Sequence, residues 1–198
     1  MKKLIIIGFS GNFYDIAEEI IDQKKYKIIG YIDSKNRRVK DFNYLGNDKI
    51  AIKKFNREKK LISIAGLGSK VLSKQRLFNI YKTNMINLIY KKSFISKYAI
   101  LKKNSGIIIM NNTVLKSFSK INSGVFINSN CVVGHHTNIG KNSTISMGVL
   151  IGGNSIIGEN CFVGMGTKIF QNVKIGKNVI IGSNLLIKKD IPDNYKIS

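Results

Sequence analysis

The chain has 198 residues, 43% of them hydrophobic, and a formal charge of +22 from 33 Lys and Arg against 11 Asp and Glu. It can bury a core in one or two domains, and no run approaches the 18 or so apolar residues of a membrane span. The basic residues run from Lys2 to Lys196 without gathering in one arm, and no zinc-finger spacing, RNP-type motif or basic heptad helix accompanies them. A solvated surface or a phosphate-bearing small molecule accounts for such charge, and nucleic acid is not expected.

The chain opens on LIII (Leu4 to Ile7), which reads as a first strand, followed by a turn at GFSG (Gly8 to Gly11). The apolar run is too short for a signal peptide. Residues 12–23 have helical spacing, with Ile16, Ile20 and Ile21 on one face and Asp15, Glu18 and Glu19 on another. KIIGYID (Lys27 to Asp33) is a second strand ending in a carboxylate. LISIAGLG (Leu61 to Gly68) repeats the strand-then-glycine pattern, a helix follows over about 69–82, and INLIY (Ile86 to Tyr90) reads as a further strand. Alternating strands and helices predict a small parallel, Rossmann-like α/β sheet. Glycine turns at strand C-termini next to helix N-termini are where phosphates dock, although G-x-x-G falls short of a full dinucleotide fingerprint and also serves as a plain turn.

From Ile109 the pattern changes. Every sixth residue up to Ile187 is aliphatic, fourteen positions in succession. Four residues after each of these stands a mostly small or β-branched residue, such as Thr113, Cys131, Ser143 or Cys161. The residue before that one is Asn in eight cases and Gly in three, with Phe118, His136 and Asp190 as the exceptions. Asn and Gly tolerate positive φ, so each hexad predicts a short strand and a tight corner. Three hexads close a triangular coil, and coils stack at the strand spacing of about 4.8 Å. The expected fold is thus an α/β unit over 1–92 followed by a left-handed parallel β-helix over 93–198, with nearly five coils. The two cysteines occupy inward positions, are too few for a disulfide framework, and fit a cytoplasmic protein.

An α/β unit followed by a hexapeptide β-helix resembles the sugar acyltransferases of the NeuD/PglD type. The resemblance rests on GFSG at 8–11, GYID at 30–33, INLI at 86–89, GIIIM at 106–110 and INSNCVVGHHTNIG at 127–140. It implies an acetyl-CoA-dependent acetyltransferase acting on the amine of a nucleotide-linked 4-amino-4,6-dideoxy sugar, or on a hydroxyl of sialic acid or another sugar. It also implies a homotrimer with acetyl-CoA lying between neighbouring β-helices. The resemblance places the catalytic histidine on His135, with His136 and Asn128 close to the reacting groups. It places the nucleotide sugar on Gly8, Ser10, Gly11, Asn12, Asp33, Ser34 and Gly68, and acetyl-CoA near Thr144, Gly153, Met165 and Ser183.

The chemistry agrees with that assignment. A sugar ammonium must lose a proton before it attacks a thioester, and a neutral imidazole is a natural acceptor. His135 and His136 are the only histidines, and both stand outside the inward ladder, where packing does not call for them. The chain departs from the family where His136 replaces the usual Asp or Glu, where Asn12-Phe13 replaces His-Gly, and where DIPDNYKIS stands at the end of the sequence in place of a continuing Gly-x-Pro-Ala segment. A zinc β-helix enzyme of the γ-carbonic-anhydrase kind needs three His ligands, and two adjacent ones converge poorly on one ion, so no metal is expected. A non-catalytic scaffold is the other alternative.

Overall fold

The computed structural model describes residues 1–47, the backbone of 61–63, and residues 85–198. Gly68 and the helix expected over 69–82 lie outside the described residues. Strand β1 (Lys2–Ile7) lies between β2 (Tyr26–Ile32) and β3 (Leu61–Ser63), all parallel. Helix α1 (Phe13–Asp22) follows β1 and buries Phe13, Ile16, Ala17 and Ile20. Ile21, expected on that buried face, is 55% exposed. One residue turns the helix by about 100°, so Phe13 and Ala17 complete the stripe with Ile16 and Ile20 and leave Ile21 outside.

The rest is a parallel β-helix with three faces of seven, six and five two-residue strands, in about six coils. Face one runs through Phe126–Ile127, Thr144–Ile145 and Phe162–Val163, face two through Val132–Val133 and Leu150–Ile151, and face three through Asn138–Ile139 and Ile156–Ile157. Register advances by eighteen residues per coil, as in Phe126↔Thr144 and Thr144↔Phe162. INLIY departs from the expectation. Leu88–Ile89 pairs with Ile108–Ile109 and begins the β-helix rather than extending the α/β sheet. Phe94–Ile95 and Ile100–Leu101 continue that first coil, whose register step is twenty residues. Two extra residues between Leu101 and Ile108 break the count of six, which is why the ladder reads from Ile109 alone. A compensating shortening occurs at the other end, where Ile175 bridges Ile191 and Ile180 pairs with Lys196, sixteen residues on.

Of the fourteen corner positions from Asn112 to Asp190, the first thirteen adopt φ between 56 and 70°; Asp190, where the coil shortens, does not. The ladder isoleucines and valines fill the prism, and the small residues beside them are buried too. Their polar atoms mostly follow one rule, donating to the carbonyl fifteen residues ahead, while Ser119 Oγ donates three residues back to Lys116 O at 2.7 Å. Thr113 Oγ1 donates to Asn128 O, Thr137 Oγ1 to Gly152 O, Ser143 Oγ to Gly158 O and Thr167 Oγ1 to Gly182 O, at 2.8–3.0 Å. The thiols of Cys131 and Cys161 do the same to Ser146 O and Gly176 O, both at 3.0 Å. A buried hydroxyl without such a partner would cost about 1–3 kcal/mol, so the rule explains why Ser and Thr are tolerated there.

The two parts share packing. Phe13, Ile16 and Ile20 of α1 join Leu88, Tyr90, Ile108, Met110 and Phe126 of the β-helix in one cluster. Helix α1 therefore lies against face one. Among the described residues no helix is long and apolar enough to cross a membrane.

The fold makes two tests available. Truncating the fully buried Ile145 to Ala should cost about 3 kcal/mol in denaturant unfolding, and the same change at outward-facing Ile156 should cost well under 1 kcal/mol. Burial, opposed by hydrogen bonds at the backbone of Val149 and Gly148, holds the Cys131 thiol at about 11, above its ordinary 9.0. The unfolded thiol ionises first, so its contribution to stability is intact below about pH 9 and is lost as pH rises through 11. Melting temperature should fall across that window, and neither thiol should react with Ellman's reagent at pH 8 until the protein is unfolded.

Candidate functional site

The predicted residues fall into three places. The first is the C-terminal edge of the α/β sheet. Gly8, with φ 86°, donates its N–H to Ile32 O at 2.7 Å, so the turn after β1 lies beside the end of β2. Asp33 and Ser34 follow on that edge. Asp33 accepts from the Ser34 N–H at 2.6 Å and pairs with Arg37 through its other oxygen. The Ser10 hydroxyl is buried without a partner, and Gly11 has open space where a side chain would stand. Asn12 caps α1 without using its side chain to do so, which leaves that amide for other work.

The second place is a cleft of about 520 Å³ between α1 and the corner joining faces one and two. Asn12 and Asn128 meet here, on opposite sides, with Asp15, Glu18, Glu19 and Asp22 along the helix and Lys91 and Lys92 at the coil. Four of the chain's eleven carboxylates thus gather in one cleft of a strongly basic protein. Tyr90, which sequence reasoning missed, is 93% buried in its wall, and its hydroxyl has no partner. Burial first, then the charges of Asp15, Glu19 and Glu18, push that hydroxyl well above the ordinary tyrosine range. Met165 and Ser183 stand on the same corner in later coils and are exposed. Thr144 sits apart from them, 2% exposed on face one.

The third place is the corner joining faces two and three, and it carries His135 and His136. Their backbone is fixed within the stack: His136 N–H donates to Ser117 O at 3.1 Å, and Asn154 N–H donates to His135 O at 2.8 Å. The two rings stand edge to face with Nδ1 to Nδ1 at 3.1 Å. One of those nitrogens carries the hydrogen and the other receives it, since two bare or two protonated nitrogens cannot bond. Nε2 of His135 remains for other chemistry. Its ring lies against Gly153 in the next coil; a Cβ built there would stand 2.6 Å from Nε2 and from Cε1. Gly153 has a steric reason to be glycine, and it is the one predicted acetyl-CoA residue beside His135. Asn128, Met165 and Ser183 are one face away, so a single chain does not bring all the predicted residues together.

Two hexapeptide profiles match the chain. The bacterial transferase hexapeptide (six repeats) covers 136–171 and 154–189, and the hexapeptide repeat of succinyl-transferase covers 119–152. Over residues 119–189 the chain is thus similar to the hexapeptide repeats of bacterial transferases. Among solved structures, this hexapeptide protein is similar to the acetyltransferase domain of PglB from Neisseria gonorrhoeae FA1090 in complex with acetyl coenzyme A. That match has 25% identity over 98% of this chain and 95% of that one, with a TM-score of 0.86. PerB from Caulobacter crescentus, in complex with CoA and GDP-perosamine, matches at 21% identity over 98% and 92%, with a TM-score of 0.86. WeeI from Acinetobacter baumannii AYE matches at 14% identity over 98% and 96%, with a TM-score of 0.72. No curated protein sequence matches. Repeat and fold agree with the resemblance to the NeuD/PglD-type enzymes, and the repeat together with the acetyltransferase domain at 25% identity supports an acyltransferase. Among the described residues no group of three or more His, Cys, Asp or Glu is placed to hold a metal ion.

The contact at Gly153 gives the site its own test. Gly153→Ala should displace the His135 ring while leaving the coil intact. Acyl transfer by the hexapeptide protein should fall about 100-fold, the order expected for a misplacement near 1 Å, with the melting temperature held within a few degrees.

Proposed function

We propose that the protein is an acetyl-CoA-dependent N-acetyltransferase acting on the amine of a nucleotide-linked 4-amino-4,6-dideoxy sugar, with His135 as general base. The reading is carried by an exposed imidazole on a rigid corner, tied through Nδ1 to His136 and turned by its Nε2 edge toward Gly153. The acceptor amine gives a proton to Nε2 of His135 as its nitrogen bonds to the acetyl carbon. The C–S bond then breaks, its electron pair leaves with sulfur, and the imidazolium returns the proton to the thiolate. Atoms and charge balance without a covalent enzyme intermediate.

In this reading the α/β unit takes the nucleotide at Gly8, Ser10, Gly11, Asp33, Ser34 and Gly68, and the β-helix, which begins at Leu88, carries the transfer. The acidic cleft supports an amine over a hydroxyl acceptor. Asp15, Glu18, Glu19 and Asp22 attract a sugar ammonium and repel the carboxylate of a sialic acid, and among the described residues lining the cleft only Lys91 and Lys92 oppose them. Asn128, Met165 and Ser183 serve the same reaction if the His135 corner of one subunit faces the Asn128 corner of the next. That is the arrangement of a cytoplasmic homotrimer with acetyl-CoA between neighbours.

The test is acetyl-CoA turnover with a panel of nucleotide-linked amino sugars. His135→Ala should lower kcat by roughly 100- to 10,000-fold while acetyl-CoA still binds. Inactive His135→Ala and Asn128→Ala subunits, mixed and reassembled, should regain part of the activity. Unchanged turnover in His135→Ala removes the general-base assignment, and a parent protein that binds acetyl-CoA but acetylates nothing supports a scaffold.

A further inference from the structure

We propose that Phe118 is a positioning residue for the transfer, holding His136 in the orientation from which it directs His135. The inference rests on the reading of His135 as base. The second corner carries the same slot in successive coils: Tyr98, Phe118, His136, Asn154 and Asn172. The later two are the asparagines a corner favours. Phe118 and His136 hold φ of 62 and 56°, a conformation that histidine tolerates better than most side chains but that a residue as bulky as phenylalanine rarely adopts. Burial does not compensate Phe118, which is 50% exposed. A left-handed backbone at a half-exposed aromatic residue is an outlier of the kind that points to function.

The rings form a continuous stack. Phe118 lies 4.9 Å from His136 at 31°, and Tyr98 lies 5.5 Å from Phe118 at 26°, with the Lys97 ammonium 5.0 Å from the Tyr98 ring. The aromatic run ends at the coil that holds His135. This is also where His136 stands in place of the acid that the resemblance implies behind His135, and the two exceptions to the corner rule belong together. A carboxylate offers several lone pairs and accepts from many angles, whereas an imidazole nitrogen offers one direction in the ring plane. His136 orients His135 only if its own plane is fixed, and the face of Phe118 fixes it.

Phe118→Asn tests the idea, because Asn is the ordinary corner residue and relieves the strain. The variant should melt at the same or a higher temperature than the parent, with kcat about ten-fold lower and the acetyl-CoA KM unchanged. Phe118→Tyr should retain kcat within about two-fold, as the stack survives. His136→Asn should lose a similar factor, and Phe118→Asn added to it should lose nothing more, since the first acts through the second. The proposal is overturned if Phe118→Asn leaves kcat unchanged, or if the two losses multiply. It is equally overturned if the loss lies in the acetyl-CoA KM, which would place the ring against the co-substrate, or if the melting temperature drops, which would make it a packing residue. Turnover unchanged in His135→Ala would instead remove the general-base reading itself. Loss in His135→Ala with a silent Phe118→Asn removes only the positioning role.

Discussion

A backbone turn to positive φ at every sixth residue is the constraint on which this molecule depends. It bends each two-residue strand into the next face, closes the prism, and brings residues eighteen apart into register. Because the turn disfavours most side chains, the corners are filled by Asn and Gly, and the few exceptions carry information. Phe118 and His136 are held where a cheaper residue would serve the fold. The interior is the complement of that rule. Ile, Val and small hydroxyl or thiol residues satisfy volume and hydrogen bonding in a fixed pattern, which leaves the core uniform and chemically quiet.

Chemistry is accordingly sited on the outside of a rigid scaffold. His135 gains direction from both sides, through Nδ1 to His136 and by contact with the bare backbone of Gly153. The cleft beside α1 is a different kind of place. It has a negative wall within a protein of charge +22, and a buried phenol whose hydroxyl is unpaired. His135 and the cleft occupy different corners of the same prism, separated by the width of a face.

The β-helix was legible because its period is covalent: a ladder of fourteen aliphatic residues has no other simple explanation. Its first coil was legible only in part: the β-helix was expected from residue 93, but two extra residues between Leu101 and Ile108 disrupt the count. Leu88–Ile89 in isolation looks like any short strand and reads with the α/β unit. The first strand, the turn and α1 were readable from local pattern, apart from Ile21, whose side of the helix was decided by Phe13 and Ala17. His135 stood out by exclusion from the ladder. Tyr90 did not, because its environment is made by residues from α1, about seventy positions away, and no spacing encodes that contact. The signal for Phe118 was present as an exception to Asn and Gly at a corner, yet its meaning required the stacked neighbours one coil apart.

The register of the coils makes the scaffold a ruler. One coil raises the chain by about 4.8 Å, so side chains on a given corner are spaced in whole steps of that length. An insertion of eighteen residues would lengthen the separation between two such sites by one step and preserve their facing. An insertion of six would carry everything beyond it round to another face. Distances along this molecule therefore change in increments, and a ligand that reads two positions on one corner is measured in units of a β-strand.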